Sequence, residues 1–350
     1  MKEDEEGAFM HRRLSLLAIV TLLLTTLLAS GCFSNSLFAP KPYKETQFLM
    51  DTIIEITAYG PGAQEAVKAS FAEFQRLHTL TNNFDDNSQL SRINHMAGKS
   101  KVVVDPDLVQ IITFSQQVSD KLGDSFDMTV GPLTQLWGIG HKGEYVPSQA
   151  EIDEVLPLVN YHLVEVDTTA NTIYLPKIGM ALDLGGIAKG YATDKAIEVL
   201  KARGITSALV NAGGDVRIIG NKPDGKPWRI GVQDPRQTDG ISAKLALTQW
   251  DTMETSGDYQ RFFIKDGIRY SHILNPRTGW QPQEVASVTM VTNSSTYGDI
   301  LSKPIFVLGV EKGLKLLQQF PGNEAIIITI DGRTIITPGL EGKIELSSDS

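Results

Sequence analysis

The residue best suited to acid–base chemistry in this sequence is His272, in the segment SHILNPRTG at 271–279. It ends a strand-like run and precedes an Asn-Pro turn, a position from which a loop can present a side chain to a substrate. Because imidazole titrates near neutral pH, His272 can act as a general base. A histidine that is simply hydrogen-bonded within a turn explains the residue alone equally well. A second polar segment, TSGDY at 255–259, lies shortly before it.

Two glycine-rich segments have residues that suit an anion. The first is DLGGIAKGY at 183–191, ahead of a predicted helix, where free backbone N–H groups and the charge of Lys189 could meet a phosphate. The second is NAGGD at 211–215, where paired glycines permit positive φ or the close approach of a ligand. Ordinary turns remain the alternative for both. Neither segment matches the dinucleotide-binding or P-loop pattern.

The segment FDMTVGPLTQLWG at 126–138 combines aromatic and apolar residues with glycine, so it forms either the rim of a binding site or part of a packed core. Around these segments, helical and strand-like periodicities are interspersed without a regular βαβ order, which favours an α+β fold. Predicted helices cover 63–82, 106–122, 148–156, 188–203, 296–308 and 311–319. Predicted strands cover 46–59, 101–104, 163–167, 172–175, 207–210, 216–219, 228–233, 243–249, 252–256, 261–264, 268–272, 285–291, 324–330 and 333–336.

Composition excludes several classes of function. The 350 residues carry a formal net charge of −9. An acidic chain without basic clusters argues against nucleic-acid binding. The chain has a single cysteine, which rules out a disulfide framework or a thiolate metal site within one chain. Any metal would therefore be held by oxygen or histidine ligands.

The N-terminus has the order of a secretory signal. Basic residues 12–13 precede an apolar run of about 15 residues, and small residues at 29–31 lead to Cys32. The run is shorter than the roughly 20 residues of a membrane-spanning helix. The cysteine after small residues resembles the lipobox of bacterial lipoproteins, which predicts acylation of Cys32. An uncleaved anchor and an ordinary signal are the alternatives. Because the preceding residues are acidic, Met10 is the better start of the signal.

Taken in chain order, the segments at 126–138, 183–191, 211–215, 255–259 and 271–279 resemble the ApbE family of FAD:protein FMN transferases. The resemblance runs from about residue 48 to 335, and 50–52 (MDT) resembles the family's opening M-G-T with Asp51 in place of glycine. It implies an ApbE-like α+β fold with mixed or antiparallel sheets flanked by helices and an active site in a cleft between two lobes. It also implies FAD as substrate and Mg²⁺ as cofactor. A Thr or Ser hydroxyl of an acceptor protein attacks the phosphorus beside the riboflavin, and AMP leaves.

The resemblance also assigns roles to residues. His272 matches the base, and Leu274 matches an apolar contact to FAD. The positions that match flavin-binding residues are Met50, Phe84, Ser125, Phe126, Asp127, Asp183 and Lys189. Gly186, through its carbonyl, and Asp299 match metal-ligating positions.

One departure concerns the metal. Where the family has a metal-ligating Thr four residues after the aspartate, this chain has Lys303. An ammonium group has no lone pair and cannot ligate a cation. If Lys303 points into the site, it repels Mg²⁺ or partly replaces it against the pyrophosphate. If it points away, Ser302 or water can complete the coordination. A retained but weakened metal site is the favoured expectation.

The expected organisation is a signal peptide at 1–31, lipidated Cys32 with a flexible tether at 32–45, the flavin transferase domain at 46–340 and a polar tail at 341–350. The lipid would hold the domain on the periplasmic or extracytoplasmic side of a membrane. Expected partners are membrane redox subunits or FMN-carrying domains that accept the flavin. The alternatives to transfer are a periplasmic FAD pyrophosphatase and a catalytically inactive FAD-binding lipoprotein.

Overall fold

The computed structural model describes residues 41–140 and 142–347. The predicted signal peptide at 1–31, the lipidation of Cys32 and the first part of the predicted tether lie outside the described residues. Among the described helices, none is long and apolar enough to cross a membrane.

Within these ranges the helices are α1 (Ala63–Thr81), α2 (Gln89–His95), α3 (Pro106–Leu122), α4 (Gly131–Trp137), α5 (Gln149–Val155), α6 (Ala188–Ala202), α7 (Ser295–Leu308) and α8 (Val310–Leu317). The strands are β1 (Tyr43–Leu49), β2 (Thr52–Tyr59), β3 (Val102–Val103), β4 (Glu165–Asp167), β5 (Thr172–Tyr174), β6 (Ser207–Ala212), β7 (Asp215–Ile219), β8 (Trp228–Gln233), β9 (Ile241–Leu247), β10 (Thr252–Gly257), β11 (Phe262–Lys265), β12 (Ile268–Ser271), β13 (Val285–Thr292), β14 (Glu324–Thr329), β15 (Thr334–Ile336) and β16 (Ile344–Leu346).

An eight-stranded sheet in the order β1-β2-β6-β7-β10-β13-β14-β15 forms the centre of the fold. Each neighbouring pair in it is antiparallel. Strand β13 lies inside the sheet and is buried along its whole length, whereas β2 nearer the edge alternates between buried and more exposed positions. A strand covered on both faces needs a continuous apolar run, and a half-covered strand needs alternation. The α+β prediction is confirmed.

Three hydrophobic clusters hold the layers together. The first joins the sheet to helices α1, α3, α6 and α7 on one face. The second joins the opposite face to β8 and β9 of a three-stranded sheet. The third is smaller and surrounds the fully buried Trp137, with side chains from α4, α5 and the β11–β12 hairpin. Burial of these apolar surfaces provides the main stabilisation of the fold.

Three local predictions were wrong. The predicted strand 46–59 is a hairpin of two strands that turns at Met50 and Asp51, both of which have positive φ. The tether is shorter than predicted, because β1 already begins at Tyr43. The predicted tail 341–350 contains β16, which pairs with β9 and so belongs to the domain. The segment 126–138 also contains α4, a helix that is missing from the predicted elements because it is too short for its periodicity to show.

Candidate active site

Helix α6 begins at Ala188, within the first glycine-rich segment, and Gly190 is the point at which it meets α7. A Cβ atom at Gly190 would lie 2.3 Å from the carbonyl oxygen of Ser295 and 2.9 Å from Cβ of Asp299. These distances exclude any side chain, so glycine is required for this close approach. The amide of Gly190 donates a 3.0 Å hydrogen bond to Oδ2 of Asp299. The contact fixes Asp299 against the first turn of α6.

Asp194, on the following turn of α6, holds the N-terminus of α7. Its carboxylate accepts hydrogen bonds from the amides of Ser295 (2.9 Å) and Thr296 (3.1 Å) and from the hydroxyl of Ser294 (2.9 Å). Arg217 of β7 forms an ion pair with the same carboxylate. A negative charge is favourable at a helix N-terminus, where amides lack intrahelical partners. Sequence analysis gave Asp194 no role, although the run of hydroxyl residues at 294–296 signals a helix start.

Lys303 follows Asp299 by one turn of α7, and its side chain contacts that residue. Its ammonium donates a 2.8 Å hydrogen bond to the backbone carbonyl of Asp299 and forms an ion pair with Oδ1 of the same residue. The neighbouring hydroxyl of Ser302 donates to that backbone carbonyl at 2.8 Å and lies 2.6 Å from the hydroxyl of Ser256. A Cβ atom at Gly186 would lie 3.6 Å from Cε of Lys303. The four residues predicted for a metal site are therefore neighbours.

These residues do not fit a divalent cation. One carboxylate oxygen of Asp299 is held by Lys303 and the other by the amide of Gly190. The hydroxyl of Ser302 is committed to two protein partners. In the described part of the chain, no group of three or more His, Cys, Asp or Glu side chains converges as a metal site would require. The expectation of a retained, weakened metal site is not supported, and Lys303 points towards Asp299 rather than away.

Lys189 is also committed to a carboxylate. Its ammonium forms an ion pair with Asp215, the last residue of the second glycine-rich segment, which is 2% exposed. The two segments that sequence analysis singled out separately therefore meet. Burial lowers the pKa of Lys189, while the carboxylates of Asp299 and Glu254 act in the opposite direction. The charge of Lys189 thus balances buried carboxylates beside the site instead of standing open to an anion.

Glu254 is a buried carboxylate that sequence analysis missed. It is fully buried on β10, where Oε1 accepts a 2.9 Å hydrogen bond from Thr252 and Oε2 has no hydrogen-bond partner among the described residues. Desolvation raises its pKa to about 7, and the negative charge of Asp299 adds to this rise. Strand β10 is rich in polar residues, so the sequence pattern gives no indication that Glu254 is buried.

Two hairpin turns lie side by side at one end of the main sheet. Gly213 and Gly214 both have positive φ and connect β6 to β7. Met50 and Asp51 connect β1 to β2 in the same left-handed region, which is uncommon for residues other than glycine. A Cβ atom at Gly213 would lie 2.1 Å from Oγ1 of Thr52. The glycine is therefore required for the contact between the two turns.

His272 lies at the end of β12, beside Arg261. Its amide donates a 3.0 Å hydrogen bond to the carbonyl of Arg261, and its Nδ1 lies 3.3 Å from the same oxygen. Desolvation lowers the pKa of His272 to about 4, and the cations of Arg261 and Lys303 contribute to the decrease. Arg261 forms a 3.0 Å ion pair with Asp51. His272 is therefore uncharged at neutral pH and can accept a proton.

The Asn-Pro turn after His272 is fixed by Asn275. Its Oδ1 accepts the amide of Arg277 at 2.9 Å, and its backbone carbonyl accepts the amide of Gly279 at 2.8 Å. The indole N–H of Trp137 donates to the carbonyl of Gly279 at 2.8 Å. Arg277 forms an ion pair with Asp124. These bonds tie the histidine loop to the third hydrophobic cluster and to the segment before Ser125.

The structure gives internal hydrogen bonds to two predicted flavin-binding residues. Ser125 is 3% exposed, and its hydroxyl donates to the carbonyl of Leu122 at the end of α3 at 2.6 Å. Asp127 is 4% exposed and accepts the amides of Thr129 (2.8 Å) and Tyr161 (3.2 Å). Desolvation raises the pKa of Asp127. Both side chains shape the loop that carries Phe126.

Phe126 and Asp183 both adjoin the first glycine-rich segment. A Cβ atom at Gly186 would lie 3.0 Å from the ring of Phe126, so the ring covers this glycine closely. Asp183 accepts the amide of Gly185 at 2.8 Å through Oδ1 and the hydroxyl of Thr134 at 3.0 Å through Oδ2. Gly185 is exposed, whereas Phe126 is buried. The segment therefore presents backbone beside an aromatic ring.

The remaining predicted flavin-binding residues come from three separate elements. Leu274 is buried in the third hydrophobic cluster, whereas Phe126 belongs to the first. Met50 lies in the β1–β2 turn, and its amide donates to Nδ1 of His78 at 3.2 Å. Phe84 follows α1 and is 65% exposed, with its amide bonded to Asn82. The chain from Lys41 onward is one compact unit, and the three residues lie in separate parts of it.

Comparisons with known proteins agree with this geometry. The model of the ApbE family matches residues 50–327. The FAD:protein FMN transferase of Treponema pallidum (strain Nichols) is 32% identical over 325 residues, covering 87% of this chain and 90% of that protein. The FAD:protein FMN transferase of Klebsiella pneumoniae (strain 342) is 37% identical over 244 residues, covering 69% and 75%.

Solved structures show the same similarity. The ApbE protein of Thermotoga maritima superposes with a TM-score of 0.80 at 33% identity, covering 87% of this chain and 99% of that one. The apo form of the flavinyl transferase ApbE of Pseudomonas stutzeri gives a TM-score of 0.78 at 30% identity, covering 88% and 98%. The family match and the nearly complete coverage of these relatives lead to one conclusion: this chain belongs to the ApbE family.

Proposed function

We propose that this protein is an FAD:protein FMN transferase, which moves FMN from FAD to a Thr or Ser hydroxyl of an acceptor protein. The observation that carries the proposal is an uncharged histidine placed near the Lys303 ammonium, beside an exposed glycine segment that precedes a helix. Two relatives, which cover 87% and 69% of this chain, carry the same function in their names. A base, a cation and open backbone are the parts that phosphoryl-type transfer needs.

His272 is the base of the reaction. Its imidazole takes the proton of the acceptor hydroxyl as the oxygen attacks the phosphorus next to the riboflavin. The P–O bond to the phosphate of AMP breaks, AMP leaves with the electron pair, and a phosphoester joins FMN to the acceptor. The depressed pKa keeps the imidazole uncharged before the step. A positioned base contributes about 10²–10⁴-fold to such a step.

The groups around Gly186 bind the phosphates. Gly185 is exposed just before α6, whose dipole favours an anion at this end, while the amides of Gly185 and Gly190 are held by Asp183 and Asp299. The Lys303 ammonium supplies a positive charge, and the ring of Phe126 provides an apolar surface beside it. Mg²⁺ has no step in this mechanism, because Asp299 and Ser302 are already held by protein groups.

Membrane attachment through Cys32 and acceptors at the membrane are part of the same proposal. The signal-like sequence before Cys32 supports secretion and lipidation. A tethered transferase meets membrane redox subunits or FMN-carrying domains at a raised effective concentration. Replacement of Cys32 by Ser is expected to release the protein from the membrane fraction and to leave transfer to a soluble acceptor unchanged.

The decisive experiment combines the purified domain, FAD and a flavin-acceptor domain, followed by in-gel flavin fluorescence and mass spectrometry. We expect the acceptor to gain the mass of FMN as AMP appears in equal amount. An acceptor whose target hydroxyl residue is changed to Ala is the control and should stay unlabelled. Free FMN and AMP without a labelled acceptor would identify an FAD pyrophosphatase instead. Bound but intact FAD would identify an inactive flavin-binding protein.

A further inference from the structure

The ion pair between Lys303 and Asp299 places a fixed cation where related proteins would offer a metal-ligating hydroxyl. An ammonium group has three N–H donors. Two of them are used on Asp299, one on the backbone carbonyl at 2.8 Å and one on the carboxylate. The third has no partner among the described residues, and the Lys303 side chain is 19% exposed. One donor and a positive charge are therefore available to an outside acceptor.

The surroundings hold this ammonium in position without a metal ion. Asp299 is 3% exposed and is itself fixed by the amide of Gly190 at 3.0 Å. Ser302 bonds the carbonyl of Asp299 and lies against Ser256. Both carboxylate oxygens of Asp299 and the hydroxyl of Ser302 already have protein partners. The arrangement is complete in its present form.

The ammonium also lies beside the segment that would receive phosphate. The stem of Lys303 passes Gly186, where a Cβ atom would be 3.6 Å from Cε. This segment leads directly into the N-terminus of α6. Lysine binds phosphate as a point charge, and the positive end of the helix dipole of α6 acts in the same direction. The two features together suit a pyrophosphate, which carries negative charge on both phosphorus centres.

We propose that Lys303 binds the pyrophosphate of FAD in place of a divalent cation, so that flavin binding and transfer do not require Mg²⁺. The inference rests on the proposed function for the identity of the ligand. Asp299 acts as a positioning residue that orients the ammonium. The ammonium carries one positive charge where a divalent cation would carry two. The positive end of the α6 dipole supplies part of the difference.

Flavin binding tests the inference without any transfer assay. Quenching of FAD fluorescence is titrated with the wild-type domain in EDTA and in millimolar Mg²⁺, and the two Kd values are expected to agree within about twofold, because no metal takes part in binding. Lys303→Thr should weaken binding in EDTA about tenfold or more, as expected for loss of a charge-assisted hydrogen bond, and Mg²⁺ should restore it. Lys303→Met should weaken it in both buffers.

Two control variants complete the series. Lys303→Arg retains the charge and should bind FAD without Mg²⁺. Lys312→Thr makes the same change on the exposed side of α8 and should leave both Kd values unchanged. Thermal melts of all variants verify folding, and Lys303→Arg serves as the informative variant if Lys303→Thr does not fold.

Direct metal binding gives an independent measurement. Mn²⁺ is used as the probe, with its electron paramagnetic resonance signal reporting the free ion in the presence of FAD. We expect no saturable site in the wild type and one site in Lys303→Thr. A saturable Mn²⁺ site in the wild type, or loss of its FAD binding in EDTA, would overturn the inference. If FAD binds without metal but no acceptor is labelled, the proposed function fails while the role of Lys303 stands.

Discussion

Helices α6 and α7 start side by side, but their N-termini are built differently. The first turn of α7 is capped by the hydroxyl of Ser294 and the carboxylate of Asp194, so its amides are occupied. Helix α6 follows Ile187, has no side-chain cap and is preceded by the exposed Gly185. In the first turn of α6 the amides of Ala188 and Gly190 donate to Leu184 and Asp299, so that turn is only partly open to a ligand, whereas the capped start of α7 suits a scaffold. The difference separates residues whose loss should affect chemistry from residues whose loss should affect stability.

The largest expected effect is that of replacing His272, the proposed base. His272→Ala should lower the rate of FMN transfer about 10²–10⁴-fold, because the acceptor hydroxyl loses its base. The melting temperature and the FAD affinity should change little. His95→Ala, an exposed histidine on α2, is the matched control and should retain full activity. Equal transfer rates for His272→Ala and wild type would remove His272 from the mechanism.

Substitution at the capped N-terminus of α7 should lower stability rather than the rate of transfer. Asp194→Ala leaves Arg217 without its main partner and removes the acceptor for several groups at the start of α7. Loss of one partner of a buried ion pair costs about 3–5 kcal/mol of unfolding free energy. Urea denaturation should show this loss, whereas Glu198→Ala on the exposed face of the same helix should change stability by less than about 0.5 kcal/mol. A stable Asp194→Ala protein with impaired chemistry would contradict the division between the two helix starts.

Glu254 should make the stability of the protein depend on pH. It lies under α7, where a Cβ atom at Gly298 would be 2.6 Å from its Cγ. Because burial raises its native pKa from 4.5 to about 7, the native state holds the proton more tightly than the unfolded chain. Its contribution to stability is complete below about pH 4.5 and is lost as the pH rises through 7.

Glu254→Gln should therefore be more stable than the wild type above pH 7, by an amount on the order of a few kcal/mol. Melting temperatures of both proteins between pH 5 and 8 measure the effect, and the difference should grow with pH. The exposed Glu345→Gln is the control and should give parallel curves. Parallel curves for Glu254→Gln as well would show that the buried carboxylate is not protonated in the native state.

The smallest predicted effect concerns Arg261. Its cation lowers the pKa of His272, so Arg261→Gln should raise that pKa and move the acidic limb of the pH–rate profile upward by about one unit or less. Arg269→Gln, in the adjacent strand β12, should leave the limb in place. A downward shift for Arg261→Gln would reverse the assigned electrostatic effect.

Sequence patterns predicted most of the fold, because long apolar periodicities and caps act locally. The bounds of α3 follow from Asp105 and Pro106 at its start and from Gly123 after its end. Short elements such as α4 and β16 were not predicted, because a few residues do not define a period. Their structure depends on partners that are distant in the sequence.

The candidate site was predicted less completely than the fold. Motif positions identified His272, Gly186, Asp299 and Lys303, and the structure brings the last three together. The direction of the Lys303 side chain could not be predicted, because it depends on which groups surround Asp299. Asp194 and Glu254 were missed for a related reason, since their partners lie on other elements, including residues 294–296 for Asp194.

The contact at Gly190 has a mechanical consequence. Backbone touches backbone where α6 crosses α7, so there is no side chain that could change rotamer and let one helix slide past the other. The two helices must move as one body. Opening a gap between Asp299 and the first turn of α6 would require the helices to separate and would break the hydrogen bond between Gly190 and Asp299.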